Sequence, residues 1–101
     1  MSELGAKQRR YLKGLAHHLE SLVIVGQKGL TGEVVAEVNR ALDDHELIKV
    51  KFGECKREKK ELSAEIEKQT GAVLLTLIGN VAVLYRQQRD PEKRKIVVKD
   101  K

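Results

Sequence analysis

The sequence predicts an α/β domain of a two-layer, α+β-like kind, with elements in the order α-β-α-β-α-β-β and a four-stranded mixed sheet. Three observations predict it. Apolar residues recur at helical spacing near the start of the chain, later stretches alternate or run apolar over strand length, and Gly79-Asn80 divides two apolar runs as a hairpin turn does. With 101 residues, 41% apolar and 35% charged, the chain has material for one small core and no room for a cofactor domain beside a substrate domain.

Between Lys7 and Leu22, the residues Leu12, Leu15, Ala16, Leu19 and Leu22 fall three or four apart and predict a first helix with that face buried. Lys7, Arg10, Lys13 and His17 form a basic stripe on its other side. Leu22-Val23-Ile24-Val25 reads as a buried strand stopped by Gly26-Gln27-Lys28-Gly29. Thr31 can cap the second helix, with Glu33 in its first turn and Val34, Val35, Val38, Ala41 and Leu42 facing inward.

Asp43-Asp44-His45-Glu46 closes that helix, although two acids near a C-terminus oppose the helix dipole and the spacing gives no reason for them. Ile48, Val50 and Phe52 then alternate with Lys49 and Lys51, the pattern of a strand with one buried and one wet, basic face. From Lys56 to Gln69 a charge-laced third helix turns Leu62 and Ile66 inward and stops at Thr70-Gly71. Val73 to Ile78 and Val81 to Tyr85 form an antiparallel hairpin, while the helix-linked strands default to parallel crossovers. The domain spans residues 1–86. Residues 87–101 form a basic tail with too few apolar residues to pack extensively, and Ile96-Val97-Val98 could add a short edge strand.

The formal charge is +5 and the three aromatics are Tyr11, Phe52 and Tyr85. Residues 21–85 net −1, so the excess sits in the first helix segment and the tail. This is the footprint of a polyanion binder that reads backbone more than stacked bases. Tyr85-Arg86, at the end of the last strand, supplies one aromatic and one guanidinium that could meet a nucleotide, or an edge tyrosine with a wet hydroxyl.

Catalytic and metal chemistry find little support. Cys55 is the lone cysteine, which excludes an internal disulfide and fits a reducing cytoplasm. His17 and His18 point about 100° apart on a helix, one toward the core edge and one toward solvent, and with His45 they show no zinc spacing. No nucleophile context surrounds Ser21, Ser63 or Cys55, so no enzyme, cofactor or metal is expected. No run approaches the ~18 apolar residues of a membrane span.

Gly26-Gln27-Lys28-Gly29 carries the most chemistry. Glycines at both ends allow close backbone approach and positive φ, Lys28 adds a charge, and a helix start follows with its dipole. A plain strand-to-helix turn has the same composition.

Gly14-Leu15-Ala16-His17-His18-Leu19, Gly26-Gln27-Lys28-Gly29-Leu30-Thr31, Glu46-Leu47-Ile48-Lys49-Val50-Lys51, Thr70-Gly71-Ala72 and Leu84-Tyr85-Arg86 occur in one order. Together, over about residues 5–86, they resemble the CRM domain family, the chloroplast RNA splicing and ribosome maturation domain, in its stand-alone bacterial YhbY form. The resemblance implies a fold similar to the C-terminal domain of translation initiation factor three. It also implies a non-catalytic RNA-binding protein associated with ribosomal RNA of the precursor large subunit; a cytoplasmic monomer is the accompanying expectation. The family's Gly-x-x-Gly loop is compared with that of KH domains, in which it joins two helices and grips the nucleic-acid backbone. By that comparison Gly26 and Gly29 shape the loop, and Gln27 and Lys28 approach phosphates; Thr31 joins the expected RNA-binding residues. Lys7, Arg10, Lys13, His17, Lys49, Lys51 and Arg86 complete the expected RNA-binding set. The other expectation is a protein-interaction module, with Lys49, Lys51 and the third helix docking on a ribosomal protein or assembly factor.

Overall fold

The computed structural model describes residues 4–54 and 57–97. Its elements are α1 (Ala6–Ala16), β1 (Ser21–Val25), α2 (Gly32–His45), β2 (Leu47–Phe52), α3 (Lys59–Thr70), β3 (Val73–Ile78) and β4 (Val81–Tyr85), followed by a short 3₁₀ turn at Pro91–Lys93. The predicted order of helices and strands holds. Cys55 and Lys56 lie outside the described residues.

Helix α1 is shorter than its spacing predicts. It ends at Ala16, where the Leu19 N–H donates to the Ala16 carbonyl in a tight turn. Leu19 and Leu22 fall at helical intervals, but Leu22 belongs to the strand built by the β-branched run that follows. Only Leu12 and Ala16 of the expected face are buried, while Leu15, Leu19 and Leu22 stay substantially exposed. His17 and His18 are both exposed, ring edge to ring face at 5.3 Å, so neither reaches the core.

The strands order as β1-β2-β4-β3. β1 runs parallel to β2, and β4 is antiparallel to both β2 and β3. The crossover expectation thus holds in direction, but β3 is not a neighbour of β2. The hairpin at Gly79 (φ 57°) folds β4 back into the centre of the sheet. That position explains why Ala82 to Tyr85 are apolar on both faces: all four are buried.

Helices α2 and α3 cover one face, seating Val38, Leu42 and Ile66 on Val23, Val25, Ile48, Val50, Phe52, Ala82 and Leu84. Helix α1 lies on the second face, where Leu12 and Ala16 meet Leu47, Leu75, Val83 and Tyr85. The molecule therefore has three layers where the sequence suggested two. A bulge between Leu74 and Thr76 makes the switch on β3, sending Leu75 to the second face and Leu77 to the first.

The two acidic residues with no evident purpose have one in the fold for Asp43. Arg86 donates to Asn39 Oδ1 (2.7 Å), the Asn39 carbonyl (3.1 Å), the Thr70 carbonyl (2.6 Å) and Asp43 Oδ1 (2.9 Å). It thereby ties the ends of α2 and α3 to the end of β4, and the Thr70 bond takes up a carbonyl of the last helical turn. Nothing in the structure explains Asp44.

Glu46 anchors the tail. It is 1% exposed with φ 63°, and its carboxylate accepts backbone N–H groups from Gln88 (2.8 Å), Lys95 (2.7 Å) and Ile96 (3.0 Å). The tail therefore packs back on the domain by polar bonds, with Ile96 joining the α1 side of the core. No strand forms at 96–97, and Val98 lies outside the described residues.

Tyr85 is 2% exposed, and its hydroxyl has no hydrogen-bond partner among the described residues. It offers no ring for a base and no wet hydroxyl. Burial, followed by the Glu46 charge, raises its pKa above the ordinary 10.0, partly countered by Arg94. Well below pH 10 neither state has ionised, so the associated stability is intact. As pH rises toward the higher folded value, only the unfolded chain sheds the proton and stability falls. Tyr85→Phe is expected to flatten this loss as pH rises through and above 10 in urea titrations while changing little at pH 7. Equal losses in the two proteins would exclude Tyr85 as the cause.

Candidate nucleic-acid interface

The 26–29 segment is a tight turn leaving the C-terminal end of β1. The Gly29 N–H donates to the Gly26 carbonyl (3.0 Å), and the Thr31 N–H to the Gly29 carbonyl (3.1 Å). Gly29 has φ 72°, the left-handed region that glycine enters without strain. Gly26 is not held to glycine by packing, since a Cβ there would meet nothing within 4 Å. Lys28 stands exposed at the corner. Thr31 is engaged as the α2 cap, its hydroxyl accepting the Val34 N–H at 3.2 Å. Glu33 already sets a carboxylate against the positive end of α2, so Lys28 is the main positive charge of this segment.

The Gly-x-x-Gly segment joins a strand to a helix, as the sequence indicates, so KH contact geometry does not transfer. The Gly53 N–H donates to the Val25 carbonyl and the Phe52 N–H to the Asn80 carbonyl. The turn therefore shares one end of the sheet with the 79–80 hairpin, while α1 crosses the second face toward the other end, over Leu47, Val73 and Tyr85.

Between them half of that face is open. Alternation puts Lys49 and Lys51 on the same side as Leu47. Ile24 pairs with Lys51, Lys51 with Val81, and Val81 with Ile78, so these four form one row across the sheet. The turn at 26–29 starts just beyond it.

Helix α1 forms the opposite wall. Leu15 lines an apolar groove of about 390 Å³ with His45, Leu47 and Ile96, where β2 begins. Helical spacing puts Lys13, Arg10 and His17 on the opposite flank, overlooking the open half. Ala6, Arg9, Arg10 and Lys13 line a shallow groove of about 330 Å³ along this flank. Arg9, of the same basic cluster, is half-buried and donates to the Leu74 carbonyl at 3.0 Å.

The structure thus brings Arg10, Lys13, His17, Lys49 and Lys51 to one open surface with the 26–29 turn at its rim. Lys7 is exposed on the outer side of α1. Arg86 is apart from this group, half-buried, with both terminal nitrogens engaged in its brace. A cleft of about 950 Å³ lies beside that brace and mixes Asp43 and Asp44 with Arg89, Lys93 and Arg94. Its opposed charges give no continuous positive surface. Among the described residues no group of three His, Cys, Asp or Glu is placed to hold a metal, and no helix is long and apolar enough to cross a membrane.

The model of the CRS1 / YhbY (CRM) domain family matches residues 4–86. The chain belongs to that family. A Haemophilus influenzae member named "RNA-binding protein" is 46% identical over 91 residues, covering 89% of this chain and 92% of the relative. A Pseudomonas aeruginosa member named a probable RNA-binding protein is 41% identical over 91 residues, covering 89% and 88%. The solution structure of a hypothetical protein from Staphylococcus aureus superposes with TM-score 0.77 at 29% identity, covering 94% of this chain and all of that one. The matched span includes every element from α1 to β4, so the open half-face belongs to the family domain and not to the tail.

Proposed function

We propose that this domain binds RNA chiefly through backbone phosphates, and that its target is ribosomal RNA of the precursor large subunit in the cytoplasm, where it assists assembly without catalysing a reaction. The observation that carries the RNA reading is the convergence of Lys13, Arg10, Lys49 and Lys51 on one open half-face rimmed by the Lys28 turn. Each phosphate met by such a cation releases condensed counterions, so binding should weaken steeply with salt. Relatives named for RNA binding support the class of partner. The CRM resemblance supplies the ribosomal target.

Lys28→Ala is expected to weaken binding across RNA sequences and to make the slope of log affinity against log salt shallower by about 0.7 for a single strand. Gly29→Asp, which adds a negative charge at the same turn, should weaken it further. Unchanged affinity and slope in both variants would remove the turn from the interface. Loss of co-sedimentation with precursor large subunits after ribonuclease treatment would support the ribosomal RNA target, and co-migration surviving on an isolated protein would refute it.

The protein-docking expectation joined Lys49 and Lys51 to α3 in one surface. Those lysines face the α1 side while α3 packs on the other face, an arrangement that supports the RNA reading over that one.

A further inference from the structure

The open half-face has a feature that phosphate binding does not require. Ile24 is 63% exposed and Ile78 66% exposed, with half-buried Val81 between them and Lys51 in the same row. Three strand spacings separate the two isoleucines, about 14 Å. Exposed aliphatics held at fixed positions by a sheet gain nothing from phosphate oxygens. They gain from a partner that brings apolar faces out of water.

Resting on the RNA reading above, we infer that the half-face seats an unpaired RNA strand and discriminates it from duplex, with base faces on Ile24, Val81 and Ile78 and phosphates on the surrounding cations. In a duplex the base faces are stacked and paired, leaving phosphate ridges and ribose hydroxyls to present to the floor. An unpaired strand can turn its bases down onto the isoleucines while its backbone follows the cations. Lys13 and Arg10 stand on the α1 wall, Lys49 and Lys51 on the floor, and Lys28 at the far rim, so the charge bounds the apolar row on both sides. That arrangement favours a polyanion with apolar faces over a protein segment, which would need acids facing both boundaries at once. The row's aliphatic character makes the contact tolerant of base identity, since no hydrogen-bonding side chain lies in it apart from Lys51.

The test compares a 12-nucleotide unpaired RNA with a hairpin duplex of the same composition, using the full chain and the Ile24→Ser/Ile78→Ser double variant. Both positions are mostly exposed, and thermal unfolding verifies that the variant keeps its fold. The wild type is expected to bind the unpaired RNA at least about tenfold more tightly, and the variant to lose most of that preference with an unaltered salt slope. Methyl resonances of Ile24 and Ile78 in the wild type should shift with the unpaired RNA and not with the duplex. Equal affinity of wild type and variant for the unpaired strand, or tighter duplex binding by the wild type, overturns the inference while leaving RNA binding intact. Perturbation of those methyls by an acidic protein partner but not by RNA also overturns it. Failure of the wild type to bind either RNA refutes the RNA reading itself.

Discussion

Glu46→Ala is expected to destabilise the fold by about 2–4 kcal/mol, a large share of the ~5–15 kcal/mol that holds a typical domain together. Three backbone N–H groups converge on one buried carboxylate, Gln88 on Oε2 and Lys95 and Ile96 on Oε1. Hydrogen bonds to a charged group contribute about 1.5–3 kcal/mol each. Their sum overstates the loss, because a released tail returns its N–H groups to water. The φ of 63° at Glu46 is unfavourable for a residue with a Cβ, by about 1–2 kcal/mol. Alanine keeps that strain and loses the bonds, whereas Glu46→Gly loses the bonds and relieves the strain, so the glycine variant should be the more stable of the two. Urea unfolding measures the order, and faster amide exchange at Lys95 and Ile96 should accompany both. A change below about 0.5 kcal/mol for Glu46→Ala would mean that the carboxylate does not anchor the tail.

Lys13→Glu combined with Lys51→Glu is expected to lower RNA affinity on the order of 10- to 100-fold at 50 mM salt. The two positions lie on the wall and the floor of the open half-face, so they should meet the same strand. Each is exposed, and stability should change by less than about 0.5 kcal/mol. Loss of two phosphate contacts makes the salt slope shallower by about 1.4 for a single strand. Reversal of two exposed lysines elsewhere, Lys60→Glu with Lys68→Glu on α3, leaves the protein with the same net charge but lies on the opposite side of the sheet. That control separates local contact from general attraction of a basic protein. Equal losses in the two double variants would assign the effect to net charge alone.

Fold and site were unequally legible, and particular residues show why. The β2 alternation put Ile48, Val50 and Phe52 in the core and Lys49 and Lys51 outside because a strand has only two faces and the period decides between them. The Thr31 cap, the Gly71 stop and the Gly79 turn were legible because each depends on local backbone geometry. Helix α1 was overextended because Leu19 and Leu22 continue a helical interval by coincidence after the helix has ended. The run at Leu22 to Val25 reads as buried, yet Ile24 faces an uncovered half of the sheet. Exposure there depends on where α1 crosses, which no local pattern carries. The structural roles of Arg86 and Glu46 were not legible because their partners stand 40 to 50 positions away in sequence, at Asn39 and Asp43 for one and Lys95 and Ile96 for the other. A buried charge reveals itself only when the elements around it are assembled.

The basic stripe of α1 was visible in the sequence, but its relation to Lys49 and Lys51 was not. The structure joins them on one surface because α1 packs on the second face and turns Leu15 away from the open half. This juxtaposition converts scattered charge into a bounded tract, and RNA binding along that tract is the account's central claim. Titration of isotope-labelled protein with unpaired RNA, followed by amide and methyl chemical shifts, tests it most directly. Shifts should concentrate at Arg10, Lys13, Ile24, residues 26–29, Lys49, Lys51 and Ile78. Shifts confined to α3 or to the cleft around Arg89 and Arg94 would contradict it.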